Sequence, residues 1–208
     1  MEFAINNPIF VDVYVAKIPN NFKINAVYCK ERQNEIDLVL SGKVRTEKYF
    51  VWKLLEYAIS RTFGEKIENI KFEKSEAGKW KCDKCEFSLT HSDGVVAVAV
   101  SEKPVGVDLQ VEFLKENDSL AKRILSEIEI SEYEILTADK KAEYLLTKWT
   151  EKEALFKKLD KSNFLKENSN GLAGNVKTFT VEFDGKKYSL SVATDNVENI
   201  RLYDNVSL

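Results

Sequence analysis

The chain has 208 residues, a formal net charge of −3 at pH 7, and a hydrophobic fraction of 44%. This apolar content can bury a core, whereas the slightly acidic balance argues against nucleic-acid binding, which requires a strongly basic surface. No apolar run is long enough to span a bilayer, and Glu2, Asn6 and Asn7 interrupt the N-terminal apolar residues, so we expect neither membrane binding nor a signal peptide. Three cysteines suggest no disulfide framework. We therefore expect a cytoplasmic protein with reduced thiols.

Hydrophobic periodicity predicts alternating strands and helices along the chain. In chain order it predicts a strand over 9–16, a helix over 46–62, strands over 86–89, 95–100 and 105–111, helices over 120–128 and 141–159, and strands over 177–183 and 187–193. Asp184-Gly185 lies between the last two strands and is typical of a tight hairpin turn. Periodicity alone therefore indicates an α+β fold with mostly antiparallel strands.

The strand over 105–111 carries two polar groups that are candidates for cation binding. Asp108 and Gln110 lie two residues apart, so their side chains project from the same face of a strand. A carboxylate beside an amide oxygen suits magnesium, which prefers oxygen ligands. The alternative is an ordinary half-buried strand with a solvated polar face, and spacing alone favours this alternative.

The helix over 141–159 carries an acid at the edge of an apolar stripe. Trp149, Glu153 and Lys157 are four residues apart and share one side of the helix. Because burying an unpaired carboxylate is costly, Glu153 requires a cation or a metal ion as its partner. Neighbouring lysines would suit a phosphate-bearing ligand. The alternative is a solvated helix with ordinary ion pairs, which spacing alone again favours.

The only histidine of the chain, His91, lies between Thr90 and Ser92 just before a predicted turn. Hydroxyls, an imidazole and backbone amides in one turn can bind a phosphate, although a histidine with purely local hydrogen bonds is an equal alternative. A single histidine excludes any two-histidine metal motif.

Cys82 and Cys85 form a C-x-x-C motif, which by itself does not complete a zinc site. Cys29 and His91 could complete one only if the fold brought them close, giving a zinc-stabilised interaction protein. A strand rather than a helix follows Cys85, which also disfavours a thioredoxin-like redox site. The preferred interpretation is a polar surface turn.

Taken in order, these segments resemble the 4′-phosphopantetheinyl transferases, in particular the larger type that activates carrier domains of peptide and polyketide synthases. The resemblance is carried by four motifs: Gly78-Lys79, Leu89-Thr90-His91-Ser92, Gly106-Val107-Asp108-Leu109-Gln110, and Trp149 to Lys157. The stretch from Ala121 to Ser126, followed by Glu129 and Glu132, also resembles the middle helix of that family. Several ordered motifs are more specific than any one of them.

The resemblance implies transfer of the phosphopantetheine arm of coenzyme A to a serine of an acyl or peptidyl carrier protein, with Mg²⁺ as the metal. The implied metal ligands are Asp108 and Glu153, with Gln110 beside them. The implied catalytic residues are Asp108, Glu153 and Lys157, and either Glu153 or a metal-held water would take the serine proton. The implied contacts to coenzyme A come from Lys152 and Lys157, from Thr90, His91 and Ser92, from Lys79, and from Lys48 or Arg45.

The fold implied by the resemblance is an intramolecular pseudo-dimer of two similar α+β halves, residues 1–102 and 103–208, with the metal site in the second. Coenzyme A would lie between the halves, and the protein would be a monomer. Two residues depart from the family pattern: Gln110 replaces a glutamate, and Trp80 replaces a proline. The first departure weakens the metal site, so a relative that binds coenzyme A or a carrier domain without transfer remains the alternative.

Overall fold

The computed structural model describes residues 9–112, 117–161 and 174–208, so the N-terminal residues considered above lie outside it. The strands are β1 (Val11–Lys17), β2 (Phe72–Lys74), β3 (Trp80–Cys82), β4 (Glu86–Ser92), β5 (Val95–Ser101), β6 (Gly106–Val111), β7 (Val176–Phe183), β8 (Lys186–Ala193) and β9 (Ile200–Tyr203). The helices are α1 (Lys30–Asp37), α2 (Gly42–Phe63), α3 (Asp118–Ile124), α4 (Glu127–Glu134) and α5 (Ala138–Lys158). The expected α+β class is confirmed.

The first part of the fold is a sheet of order β4-β5-β1-β9 with the long helix α2 on one face. The Ser41 side chain accepts a hydrogen bond from the Val44 N–H at the start of α2, and Gly64 ends the helix with a φ of 69°. Trp52, Leu55 and Ile59 are fully buried beneath the helix. Burial of this apolar face holds α2 against the sheet.

The second part repeats this arrangement in a smaller sheet of order β6-β8-β7, which α5 covers. In each part a first strand leads to a long helix, and a hairpin follows whose second strand pairs with the first strand. Both hairpins turn at Asp-Gly pairs, Asp93-Gly94 and Asp184-Gly185, and all four of these residues have positive φ. The two parts thus share one topology.

The two sheets pack face to face, with α2 and α5 on the outside. Alternate residues of β1 and β5, such as Val13 and Ala97, meet Val107 and Leu109 of β6 and Leu190 of β8 in one buried cluster. Because strand side chains alternate, the intervening residues of each sheet face its helix. The side chains of Asp108 and Gln110 accordingly point to the α5 side.

Strands β4 and β6 meet at the boundary between the two sheets without direct backbone pairing. Serine and threonine hydroxyls on β4 instead accept hydrogen bonds from backbone N–H groups of β6. These bonds run from Val107, Leu109 and Val111 to Ser88, Thr90 and Ser92 at 3.0, 3.1 and 3.0 Å. We call these three contacts the hydroxyl ladder. It satisfies an otherwise open strand edge and fixes the register of β6 against β4.

Several local predictions differ from the structure. The helix predicted over 120–128 is in fact α3 and α4, separated at Leu125, because Ser126 and Glu129 form a capping box that starts a new helix. Helix α1, the hairpin of β2 and β3, and β9 were not predicted. Within the ranges described, no helix has the length and apolar character needed to cross a bilayer.

Candidate active site

A cavity of about 320 Å³ lies where the two parts of the fold meet. Its wall includes Lys48 of α2, Gly78 and Lys79 from the loop between β2 and β3, His91 of β4, and Lys157 of α5. Four separate segments therefore bring basic side chains to one space. Such a site suits a ligand with several negative charges.

Backbone carbonyls and acidic side chains contact the basic groups of the cavity. The Lys79 ammonium donates to the Val105 carbonyl at 3.2 Å, and burial lowers its pKa. The Nδ1 of His91 lies 3.2 Å from a carboxylate oxygen of Glu47. Burial lowers the pKa of His91, and Glu47 opposes that shift, while Lys157 adds to it. The lowered pKa favours the neutral imidazole at pH 7, and an incoming anion would favour its protonated form.

Asp108 lies next to this cavity and is only 6% exposed. One of its carboxylate oxygens, Oδ1, accepts hydrogen bonds from the Thr90 hydroxyl at 3.0 Å and from the Lys157 ammonium at 2.7 Å. Lys157 also donates to the Val107 carbonyl at 3.2 Å. Lys157 therefore links the cavity wall to the strand acid.

Glu153 lies one helical turn before Lys157 on α5 and is half-buried. Among the described residues, no side chain or backbone group forms a hydrogen bond with its carboxylate. Burial raises the pKa of Glu153; Lys157 opposes the shift, and the nearby charge of Asp108 adds to it. The two carboxylates thus interact with each other in a largely buried setting, and the Lys157 ammonium lies close to both. Such a pair has the charge to hold a divalent cation.

The donor atoms in this region fit magnesium better than zinc. Asp108, Glu153 and Gln110 supply two carboxylates and one amide, all with oxygen donors, and magnesium keeps waters or phosphate oxygens in its remaining positions. Across residues 9–112, 117–161 and 174–208, no three His, Cys, Asp or Glu side chains come together in a way that could hold a metal ion. The alternative zinc site from Cys29, Cys82, Cys85 and His91 is therefore not assembled in this part of the chain.

The contact between β6 and α5 depends on Gly106. A Cβ atom at this position would lie 1.8 Å from the Ala154 carbonyl oxygen and 2.6 Å from the Lys158 nitrogen. The backbones of strand and helix can therefore touch only because residue 106 has no side chain. This close approach brings Asp108 and Glu153 into the same neighbourhood.

A model of the 4′-phosphopantetheinyl transferase superfamily matches residues 104–197, which include both acids. A 4′-phosphopantetheinyl transferase gsp from Aneurinibacillus migulanus is 25% identical over 191 residues, covering 88% of this chain and 79% of the relative. A 4′-phosphopantetheinyl transferase from Bacillus subtilis is 27% identical over 157 residues, covering 73% of this chain and 65% of the relative. The chain is thus similar to the 4′-phosphopantetheinyl transferase superfamily over the residues that carry both acids, and to these two transferases over most of its length. The predicted family and the prediction of a transferase enzyme are thereby confirmed.

The structure brings together most of the residues that the transferase motifs predict to bind coenzyme A or magnesium. Lys48, Lys79, His91 and Lys157 line the cavity, and Asp108 and Glu153 lie close to Lys157. Gln110 lies on β6, two residues after Asp108. Thr90 lies next to them but uses its hydroxyl within the hydroxyl ladder and on Asp108. Its side chain therefore positions the strand acid.

Three residues that were predicted to contact coenzyme A lie elsewhere and make other contacts. Lys152 is 6% exposed and donates to the Ile124 carbonyl at 2.7 Å and to Glu129 at 2.5 Å, so it connects α5 to the α3–α4 segment. Arg45 donates to the carbonyls of Ile36 and Asp37 at the end of α1. The Ser92 hydroxyl accepts the Val111 N–H. None of the three lines the cavity.

Sequence reasoning missed two basic residues of the cavity, Lys161 just after α5 and Arg32 of α1. The guanidinium of Arg32 donates to Glu35 at 3.0 Å and to the Lys48 carbonyl at 2.8 Å. No motif marks this residue, and its helix has a largely polar sequence without an apolar stripe. Only the tertiary packing of α1 on α2 reveals its position.

Proposed function

We propose that this protein transfers the 4′-phosphopantetheine group of coenzyme A to a serine of an acyl or peptidyl carrier protein in a magnesium-dependent reaction. The observation that carries the proposal is a lysine-lined cavity in which Lys157 also contacts Asp108. Beside this contact lies the half-buried Glu153, whose carboxylate accepts no hydrogen bond from residues 9–112, 117–161 or 174–208. A cofactor with a pyrophosphate and a further phosphate requires a polycationic wall, and its cleavage requires charge compensation beside the broken bond.

The basic wall would bind the phosphates of coenzyme A. Lys48 lies on α2, Lys79 in the loop before β3, His91 on β4 and Lys157 on α5. His91 would bind a phosphate in its protonated form, because a nearby negative charge favours the imidazolium.

Asp108, Gln110 and Glu153 would hold the magnesium ion. When bound, the ion would neutralise pyrophosphate charge and stabilise the leaving group. Lys157 pairs with Asp108 in the absence of ligand and would move its contact toward a phosphate oxygen. Because Gln110 contributes no charge, the site would depend more on the two carboxylates than a site with three acids does.

Glu153 would accept the proton of the carrier serine. The serine oxygen forms a bond to the β-phosphorus of coenzyme A as the bond to the bridging oxygen breaks, and adenosine 3′,5′-bisphosphate leaves. Glu153 lies one helical turn before Lys157, so this base would be beside the lysine that contacts the phosphate.

We further propose that the protein acts as a cytoplasmic monomer and as an internal pseudo-dimer divided at residues 102 and 103, without nucleic-acid or membrane partners. The shared topology of the two sheets supports the internal repeat. Size-exclusion chromatography with light scattering measures the oligomeric state directly, and a stable dimer would contradict the proposal.

A non-catalytic relative is the second candidate. Gln110 weakens the metal site, and Lys157 already satisfies Asp108, so the cavity could bind coenzyme A without turnover. Calorimetry distinguishes the two functions. Coenzyme A binding that is independent of magnesium, without transfer, would favour the binding protein.

The direct test incubates the protein with coenzyme A, magnesium and an apo carrier protein, and weighs the carrier by mass spectrometry. The carrier should gain one phosphopantetheine group. Asp108→Ala and Glu153→Gln should reduce the rate at least about 100-fold. Glu143→Gln is the matched control, because Glu143 is an exposed acid on the same helix. Full activity in both site variants would refute the proposed roles.

A further inference from the structure

Two thiols that the transfer reaction does not use lie close together beside the cavity wall. Cys82 ends β3, and Cys85 leads into β4 after a two-residue turn. Their sulfur atoms are 3.7 Å apart, and the Cys82 thiol also donates to the Cys85 carbonyl at 3.3 Å. The turn is held in place by Asp83, whose carboxylate accepts the Lys71 N–H at 3.0 Å.

In this geometry the two reduced thiols can form a disulfide bond after a small movement. A disulfide bond is about 2.04 Å long, so the sulfur atoms need to approach by less than about 2 Å, which side-chain rotation and a small shift of the turn can supply. Both thiols are partly exposed, so a small reagent can reach them. The third cysteine, Cys29, is buried and contacts Glu31, so it belongs to a separate environment.

We propose that Cys82 and Cys85 form a reversible disulfide-forming site that reacts with low-molecular-weight disulfides. The Cys82 thiolate attacks one sulfur of the small disulfide, a mixed disulfide forms, and one small thiol leaves after taking up a proton. The Cys85 thiolate then attacks the Cys82 sulfur, and the second small thiol leaves. In total the protein loses two protons and two electrons, and the small disulfide takes them up to become two thiols.

The surroundings give the two thiols different roles. The hydrogen bond with Cys85 lowers the pKa of Cys82 to about 7, against the effect of burial. The same interaction, together with burial, raises the pKa of Cys85. Cys82 is therefore partly thiolate at neutral pH and attacks first, whereas Cys85 resolves the mixed disulfide.

The location gives such a site a structural consequence. Strand β3 begins at Trp80, directly after Lys79, and both residues line the cavity, while β4 carries His91 on another wall. A disulfide between Cys82 and Cys85 would covalently fix the connection between these two walls. The inference is independent of the transfer chemistry, because it uses neither Asp108 nor Glu153.

The test treats the folded full-length protein with glutathione disulfide, then titrates thiols and measures the intact mass. We expect two thiols to disappear without retained glutathione, and dithiothreitol to restore both. Cys85→Ser should trap one glutathione on Cys82, whereas Cys82→Ser should acquire none. Cys29→Ser is the matched control and should still lose two thiols. Three unreacted thiols in the wild type, or glutathione retained on it, would overturn the proposal.

A second measurement needs no substitution and so does not depend on the folding of the variants. Iodoacetamide labelling of the wild type, mapped by peptide mass, should modify Cys82 first. Its rate should rise with pH around a midpoint of about 7, as expected for the thiolate. Preferential labelling of Cys85 or Cys29, or a midpoint above pH 8.5, the value of an ordinary thiol, would contradict the assigned roles.

Discussion

Replacing Gly106 by alanine tests whether the approach of β6 to α5 builds the site. The new Cβ would lie 1.8 Å from the Ala154 carbonyl oxygen, so strand and helix must separate by about 1.2 Å to reach even a 3.0 Å contact. Backbone atoms on both sides cannot rotate away as a flexible side chain could. We expect a loss of about 3 kcal/mol in the free energy of unfolding, near the upper end for overpacked cores.

The assay combines thermal unfolding with the transfer rate. A loss of about 3 kcal/mol corresponds to a fall of about 6–12 °C in Tm for a chain of this size. Because Ala154 follows Glu153 directly, the acid moves with the helix, and a misplacement of about 1 Å should cost about 100-fold in rate.

Gly42 at the start of α2 is the matched control, because a Cβ there would meet nothing within 4 Å. Gly42→Ala should keep the activity and raise stability by up to about 1 kcal/mol. A Gly106→Ala protein with unchanged Tm and unchanged transfer rate would refute the reasoning.

Two further predictions concern residues that support the site. Thr90→Val should lower the free energy of unfolding by about 2 kcal/mol and raise the magnesium concentration needed for half-maximal rate, because Asp108 and the Leu109 N–H both lose the hydroxyl. Thr90→Ser should restore the magnesium dependence in the same kinetic titration, and a Thr90→Val protein with normal dependence would contradict a positioning role. Lys152→Met should lower stability by about 2 kcal/mol in urea unfolding, because Glu129 and a backbone carbonyl lose their partner. The KM for coenzyme A should stay within about twofold of the wild-type value. A large rise in KM at unchanged stability would instead indicate that Lys152 contacts coenzyme A.

Strong local patterns made much of the fold predictable. The apolar run of β5, the stripe of α2 and the Asp184-Gly185 turn each encode their structure within a few neighbouring residues. The missed elements lack such signals. Strand β9 exists only through parallel pairing with β1, nearly the whole chain away, and β2 and β3 have three residues each. Their stability comes from tertiary contacts, which periodicity does not report.

The site was predictable in its residue types and less so in its geometry. Spacing placed Asp108 and Glu153 on the correct faces of a strand and a helix, but no spacing gives the distance between two elements. Lys152 and Lys157 were both expected at phosphates, yet five residues separate them by about 140° around a helix, so only one can face the cavity. Arg45 could not be placed, because its partners are carbonyls of a helix, α1, that the sequence did not reveal.

The hydroxyl ladder has a consequence for how this protein can change over generations. When two strands are joined by backbone hydrogen bonds, those bonds fix the distance between them. A single side-chain substitution then changes that distance little. In this protein, three short side chains of β4 join it to β6. Exchanging one serine for a threonine, an alanine or a cysteine therefore changes the distance between the strands at that contact and leaves the other two contacts in place. Single substitutions during evolution can therefore adapt the neighbouring cavity to a different ligand step by step.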